Sequence, residues 1–465
     1  MKPENELDLD QPGGKYAWYV VAVLTLAFTV SFIDRQILSL LVQPIKRDLG
    51  VNDTQIGLLA GFAFALFYSV LGVPIARIAD NHSRRGLISI GIVLWSIMTA
   101  ACGLAKSYLI LFLMRVGVGV GEATLSPAAY SIMADYFPPH KLGKAIGVYV
   151  MGLYLGAGAA LLLGSAVVSM TSAAGVVELP LVGTVYPWQL TFFVVALPGL
   201  PLLLLMGTVR EPPRREFMAD GTIKSASRAN VPLSEIVNFF KSNKRFILAH
   251  FGGFLLLGTV VSAFMVWVPE FLRRNHGFSI AQAGALYGMI LLVFGCLGPY
   301  SGGWLAELLR KKGYADAEMR AALLGSLILI PLVILMPLMS NRYAAVVLLA
   351  PLTFALSFPQ GLVATILQLV APNRMRAQLT AIFIFLGVLA GYSLGPALVA
   401  VCTDYVFGYE TAIKYSLALV GGILSPIGAL LIYSGLKPYR ERMDEMRGTS
   451  ARKPLASREL PMSWE

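Results

Sequence analysis

AWYVVAVLTLAFTVSFIDRQILSLLVQPI, residues Ala17 to Ile45, is an apolar run broken by an acid and a base side by side, Asp34 and Arg35. A helix that crosses the hydrocarbon core of a bilayer needs about 20 mainly apolar residues, so this run is long enough to span. A charge at mid-bilayer costs roughly 2.5–3.5 kcal/mol on insertion scales. Chains carry that cost mainly where the charge lines a protected, water-filled or substrate-filled pathway, which makes the Asp34–Arg35 pair the first candidate site.

The rest of the chain has the same character. Of 465 residues, 57% are hydrophobic and only 14% charged, against roughly 25% charged in a soluble domain; the mean hydropathy is +0.70. The apolar runs are continuous and long rather than alternating with period two, which predicts helices and excludes a barrel. Twelve spans follow: 17–45, 54–79, 84–105, 108–136, 141–170, 188–208, 246–273, 279–309, 319–340, 343–371, 374–402 and 411–436. Residues 1–16 form an N-terminal tail, 17–208 and 246–436 two six-helix bundles, 209–245 a linker rich in Pro and charge (REPPRRE, KSASRANVP), and 437–465 a C-terminal tail. The polar, acidic start lacks the basic n-region of a cleavable signal peptide.

The net charge of +11 is not a nucleic-acid signal. About seven of the 37 Lys and Arg fall on the face reached by the odd-numbered connections and about 28 on the face of both termini, with Arg35 and Arg115 inside helices. Positive charge marks the cytoplasmic side, so both termini and the linker are predicted cytoplasmic, in the cell (inner) membrane. Cys102, Cys296 and Cys402 lie in or beside apolar segments without metal-ligand spacing and read as packing residues. There is no HExxH, no nucleophile elbow and no nucleotide-binding loop, so neither an enzyme, an ATP-driven pump nor a cofactor is expected. A receptor or sensor is the remaining different class.

An internal repeat narrows the fold. ARIAD then NHSRRG (Ala76–Gly86) recurs as GWLAE then LLRKKG (Gly303–Gly313), an offset of 227 residues, and PHKLGK from Pro139 is echoed by PNRMR from Pro372. Two halves related by a parallel repeat, with the substrate between them near the midplane, are a common secondary-transporter design.

The chain resembles the major facilitator superfamily. The signature loop Gly-x-x-x-Asp-Arg-x-Gly-Arg-Arg is matched at Ala76, Asp80, Ser83, Arg84 and Arg85, with both glycines replaced; the second copy has Gly303 and Glu307. A fourth-helix pattern, Arg-x-x-x-Gly-x-Gly, is matched by Arg115, Gly119 and Gly121. FIDRQ in helix one, the Arg115–glycine–Glu122 ladder and REPPR after helix six are similar to the spinster family. That resemblance implies an all-α fold of two six-helix bundles and, for substrate, lysophospholipids or sphingosine-1-phosphate. Aromatic-acid and sugar-acid porters share parts of the pattern.

The intramembrane charges carry the mechanism expected. Asp34 lies about 25 Å from the cytoplasmic start of helix one at 1.5 Å per residue. Helix four runs the other way, so Arg115 falls in the same outer-half layer and Glu122 nearer the midplane. Asp34 and Arg115 are expected to pair when Asp34 is ionised and to part when it is protonated, with Glu122 the second proton or substrate site. Arg35 and Arg115 suit an anionic head group, because a guanidinium binds phosphate or carboxylate bidentately. The alternative is an inert ion pair locking helices one and four.

The second half is nearly uncharged along helices seven, eight, ten and eleven and rich in aromatics, among them Phe254 and Phe358; facing a charged first half, it suits an amphipathic substrate. The resemblance also implies gating by Asp80, Arg84 and Arg85 against Arg374 and Arg376 at the start of helix eleven, with Glu307 the second-copy acid. Glycines in helices four and five allow close packing. Gly391, Gly395 and Pro396 in helix eleven, and Pro359 in helix ten, predict kinks. The expected partners are protons, membrane lipids and a lipid or small amphipathic anion, the chain working as a monomer.

Overall fold

The structure is a computed structural model that describes residues 13–179, 183–213, 215–217, 223–225, 233–371 and 375–451. Among the described residues, twelve helices are long and apolar enough to cross a membrane. Helices one to six are Lys15–Leu40, Asp53–Gly72, Arg84–Cys102, Tyr108–Tyr136, Lys144–Ala174 and Pro187–Thr208. Helices seven to twelve are Lys244–His276, Ile280–Lys311, Ala317–Leu338, Arg342–Val370, Ile382–Phe407 and Glu410–Glu445. They form two six-helix bundles. The segment read as linker contains an amphipathic helix, Leu233–Ser242, with Ile236 and Phe239 buried, so helix seven begins almost without a break.

Several spans are broken where the sequence gives a reason. Helix one is α-helical over Lys15–Gln36, tightens to 3-10 geometry over Ile37–Leu40 and resumes as a short helix, Val42–Leu49, which ends at Gly50 in the left-handed conformation. Helix four stops at Glu122 and restarts at Leu125. Helix ten breaks at Phe358–Pro359, where proline supplies no N–H to the helix. Wide, π-type turns occur at Leu58–Phe62 in helix two, Leu291–Gly295 in helix eight and Gly387–Tyr392 in helix eleven. Such turns free backbone groups and recur at functional sites.

Apolar burial does not drive helix association inside lipid, whose tails are as apolar as leucine, so backbones approach over small residues instead. Gly156 of helix five lies against the Thr29 carbonyl and Phe32; an added Cβ would sit 2.6 Å from each. Gly61 of helix two lies so close to the Tyr392 carbonyl of helix eleven that a Cβ would collide with it. Helices two and eleven, and five and eight, thus join the halves. Gly288 approaches the Gly158 carbonyl, and Trp267 Nε1 donates to the Pro396 carbonyl at 2.9 Å inside the second half.

Candidate functional site at the helix one and helix four breaks

The breaks in helices one and four bring four charges together in the first half. Asp34, Arg115 and Glu122 are fully buried and Arg35 nearly so. Arg35 donates from Nε to Glu122 Oε2 at 2.7 Å and from Nη2 to the same oxygen at 2.6 Å. Ser31, one turn earlier, donates to that oxygen at 2.6 Å. Glu122 Oε1 accepts nothing.

The expected Asp34–Arg115 pair takes a different form. Arg115 Nη1 donates to the backbone carbonyl of Asp34 at 2.9 Å, not to its carboxylate. The carboxylate accepts from the Thr99 hydroxyl at 3.1 Å, and its other oxygen has no partner. Arg115 Nε and Nη2 are also unbonded. The physical reason is the helix break: residues 37–40 no longer take the α-helical pattern, and the Asp34 carbonyl is an available acceptor for Arg115. The charge that pairs with Glu122 is therefore Arg35, its sequence neighbour.

Arg35 also lies over aromatic rings. Its guanidinium carbon lies 4.0 Å from the ring centre of Phe64, 4.7 Å from Phe32 and 5.2 Å from Tyr68. Cation–π attraction strengthens where water is excluded. Tyr392 closes on this group from the other half, its ring 6.5 Å from that of Phe32. These four aromatics were not singled out in the sequence. Phe32 stands one turn before Arg35, but Phe64, Tyr68 and Tyr392 come from helices whose register against helix one is set only by packing.

Phe254 and Phe358 are not part of this group. Phe254 is buried against His250, whose Nε2 lies 3.0 Å from the Val363 carbonyl. The Phe358 ring packs into the space left by Gly325 of helix nine and Gly302 of helix eight. Both are internal packing of the second half, so the aromatic side expected from helices seven and ten is supplied instead by helices one, two and eleven.

At the termini face, Arg84 is 1% exposed and bonds within the first half: to Asp135, to Glu211 at 2.7 Å and to the Pro212 carbonyl at 2.8 Å. Glu211 also takes the Arg85 backbone N–H at 2.8 Å and the Ser83 hydroxyl at 3.0 Å. Burial pushes the Glu211 carboxyl up, but the Arg85 N–H, the Arg84 guanidinium and the Ser83 hydroxyl outweigh it and hold the group below the usual range. Glu211 and Pro212 thus tie the end of helix six to the loop after helix two. Glu307 is exposed and pairs with Lys311 one turn on, at 2.8 Å. The side chains of Asp80 and Arg376, and all of Arg374, lie outside the described residues.

Two bundles of six helices with a buried, ion-paired arginine at a helix break define a membrane transporter class. The Major Facilitator Superfamily model matches residues 24–396, and the chain belongs to that superfamily. Among its relatives is an MFS-type efflux pump of Mycolicibacterium smegmatis, 29% identical over 445 residues, which cover 94% of this chain and 96% of the relative. A hexuronate transporter of Bacillus subtilis is 23% identical over 94% of this chain and 98% of its own. Among solved structures, a bacterial homologue of the human lysosomal transporter spinster, in an inward-facing and unoccupied conformation, superposes with a TM-score of 0.73 at 27% identity, covering 94% of this chain and 99% of that one. The protein is an integral membrane transporter related both to spinster and to sugar-acid transporters.

Proposed function

We propose that the chain is a proton-coupled secondary transporter that moves an amphipathic, lipid-like anion of lysophospholipid or sphingosine-1-phosphate type by alternating access. The observation that carries this reading is Arg35, gripped at one edge by Glu122 and set over the rings of Phe32, Phe64 and Tyr68. An arginine held in this way presents nitrogens for a phosphate or carboxylate and an apolar wall for what is attached to it. Protonating Glu122 removes the charge that occupies Arg35. The guanidinium then takes an anionic head group while it stays over the rings.

Asp34 is the second proton-carrying group. Its unpartnered carboxylate oxygen and the two free donors of Arg115 mark buried polar atoms that gain by a change of protonation or by a bound ligand. The amphipathic reading is also supported by the likeness to the spinster homologue and the efflux pump. A small sugar acid is the second reading, supported by the likeness to the hexuronate transporter. It is weaker because a polyol asks for many hydrogen-bonding partners, and the groups against Arg35 are rings. The excess of Lys and Arg on the termini face supports termini in the cytoplasm and residence in the cell membrane.

The test is flux in liposomes reconstituted with purified protein. A lysophospholipid and a hexuronate are compared with and without an imposed pH gradient. Lysophospholipid movement that the gradient drives, and that Glu122→Gln uncouples, is expected. Movement of the hexuronate alone would replace this reading with the second; movement indifferent to the gradient would remove the proton coupling.

A further inference from the structure

On the face opposite the termini, six charged groups from both halves form a saturated lattice. Lys46, at the outer end of the helix one segment, bonds Asp53 at 2.6 Å and Glu410 at 2.5 Å. Arg274, at the end of helix seven, grips Asp53 with both terminal nitrogens, one at 2.8 Å, and Glu270 with Nε at 2.5 Å. Glu270 also takes Arg273 at 2.7 Å and the Gln43 amide at 2.8 Å. Asp53 and Arg274 are nearly inaccessible, with side-chain exposures of 0% and 2%. Three bases and three acids cancel, and no carboxylate oxygen of Asp53 or Glu270 is left without a donor.

The lattice follows from the internal repeat. The 227-residue offset maps Gln43 onto Glu270 and Lys46 onto Arg273, so the basic ends of helices one and seven are repeat mates. Asp53 starts helix two, and its mate is Ile280, which is uncharged. One acid therefore receives a base from each half, and it is the joint between them. Close by, Asp404 of helix eleven accepts the Thr54 N–H at 2.6 Å and hydroxyl at 2.7 Å.

We infer that Asp53, held between Lys46 and Arg274 and flanked by Glu270 and Glu410, is the joint of a gate that keeps the outer face closed. The bonds from Arg274 to Asp53, from Lys46 to Glu410 and from Gln43 to Glu270 exist only while the halves touch, whereas Lys46–Asp53 and the Glu270–arginine pairs lie within one half. Opening that face withdraws Arg274 from Asp53 and returns both to water. Neutralising Asp53 in the closed state leaves Arg274 buried with one acid fewer, an unfavourable arrangement that opening relieves. The neutral variant must then favour the open outer face. The inference adds a gate to the alternating-access reading and needs neither substrate nor proton coupling, so it fails or stands independently of both.

The experiment is a distance measurement between spin labels at Arg47→Cys and Val406→Cys, both exposed and on opposite halves, in a background where the three native cysteines are replaced. It is made without substrate and without a pH gradient. The parent shows one dominant short distance. Asp53→Asn and Arg274→Gln each raise the ratio of long to short distances at least tenfold, and Asp53→Glu, which keeps the charge, restores the short one. Should Asp53→Asn not fold, Lys46→Gln, whose partner Glu410 is half exposed, gives a smaller shift in the same direction. An unchanged distance distribution in folded neutral variants would overturn the gate and leave the lattice a static brace.

Discussion

Two groups of buried charge, one on helices one and four and the other where the segment after helix one meets helices two and seven, are built in opposite ways. In the outer lattice the acids of Asp53 and Glu270 have every oxygen bonded. In the membrane-buried group, by contrast, Asp34 Oδ1, Glu122 Oε1, and Arg115 Nε and Nη2 are left over. A saturated network holds one geometry, whereas unpaired buried donors and acceptors favour whatever completes them. The first is suited to latch and the second to bind, although both sum to zero charge.

The largest effect expected is at Arg35. Arg35→Ala leaves Glu122 buried without its base, and breaking a buried pair costs about 3–5 kcal/mol. Transport is expected to fall at least a hundredfold, with reduced thermal stability, both read on the purified protein. Glu122→Gln with Arg35 intact separates the roles: it is expected to keep binding and lose the response to a pH gradient. Equal loss of both would make the membrane-buried group a brace like the outer one.

The aromatic wall comes next. Phe64→Leu keeps the volume and removes the ring under the guanidinium, a change of about 0.5–2 kcal/mol. KM should rise between twofold and about thirtyfold, with folding intact. Phe358→Leu is expected to change stability rather than KM, since the Phe358 ring packs against Gly302 and Gly325. The reverse result would move the substrate into the second half.

Gly61→Ala tests the contact that joins the two halves. The added methyl collides with the Tyr392 carbonyl. The halves must then separate at helices two and eleven or the helices must shift, and overpacking of this kind costs about 1–3 kcal/mol. Slower exchange between conformations, measured as a lower turnover at unchanged KM, is expected.

The smallest effect is at the termini face. The Glu211 carboxyl is held below its usual range, so its contribution to stability is complete above the unfolded value, about 4.3. It is lost as the pH falls through the lower folded value. Melting temperatures followed downward from neutral pH should show this loss in the parent and a shallower one in Glu211→Gln.

The fold was legible because its signals are local. Twelve apolar runs, a basic bias on one face and a repeat at 227 residues follow from composition and spacing, and each is fixed by what a bilayer tolerates. The site was legible in its members but not in its bonds. Asp34, Arg35, Arg115 and Glu122 stand out as charges in apolar runs, yet helix depth alone points to Asp34 with Arg115 as the pair. The partner of Arg115 is a backbone carbonyl made available by a break in helix one, which no side-chain pattern announces.

By itself the sequence determined that the chain spans a membrane twelve times as two repeated halves and that four charges had to be buried together. Hydrophobic length and the cost of a lone charge in lipid settle both without reference to neighbours. Only the tertiary structure decided that Arg35 binds Glu122 among Phe32, Phe64 and Tyr68, and that Lys46 and Arg274 meet on Asp53. Those contacts depend on how helices rotate and approach over small residues such as Gly61 and Gly156, and close packing between distant segments sets that register.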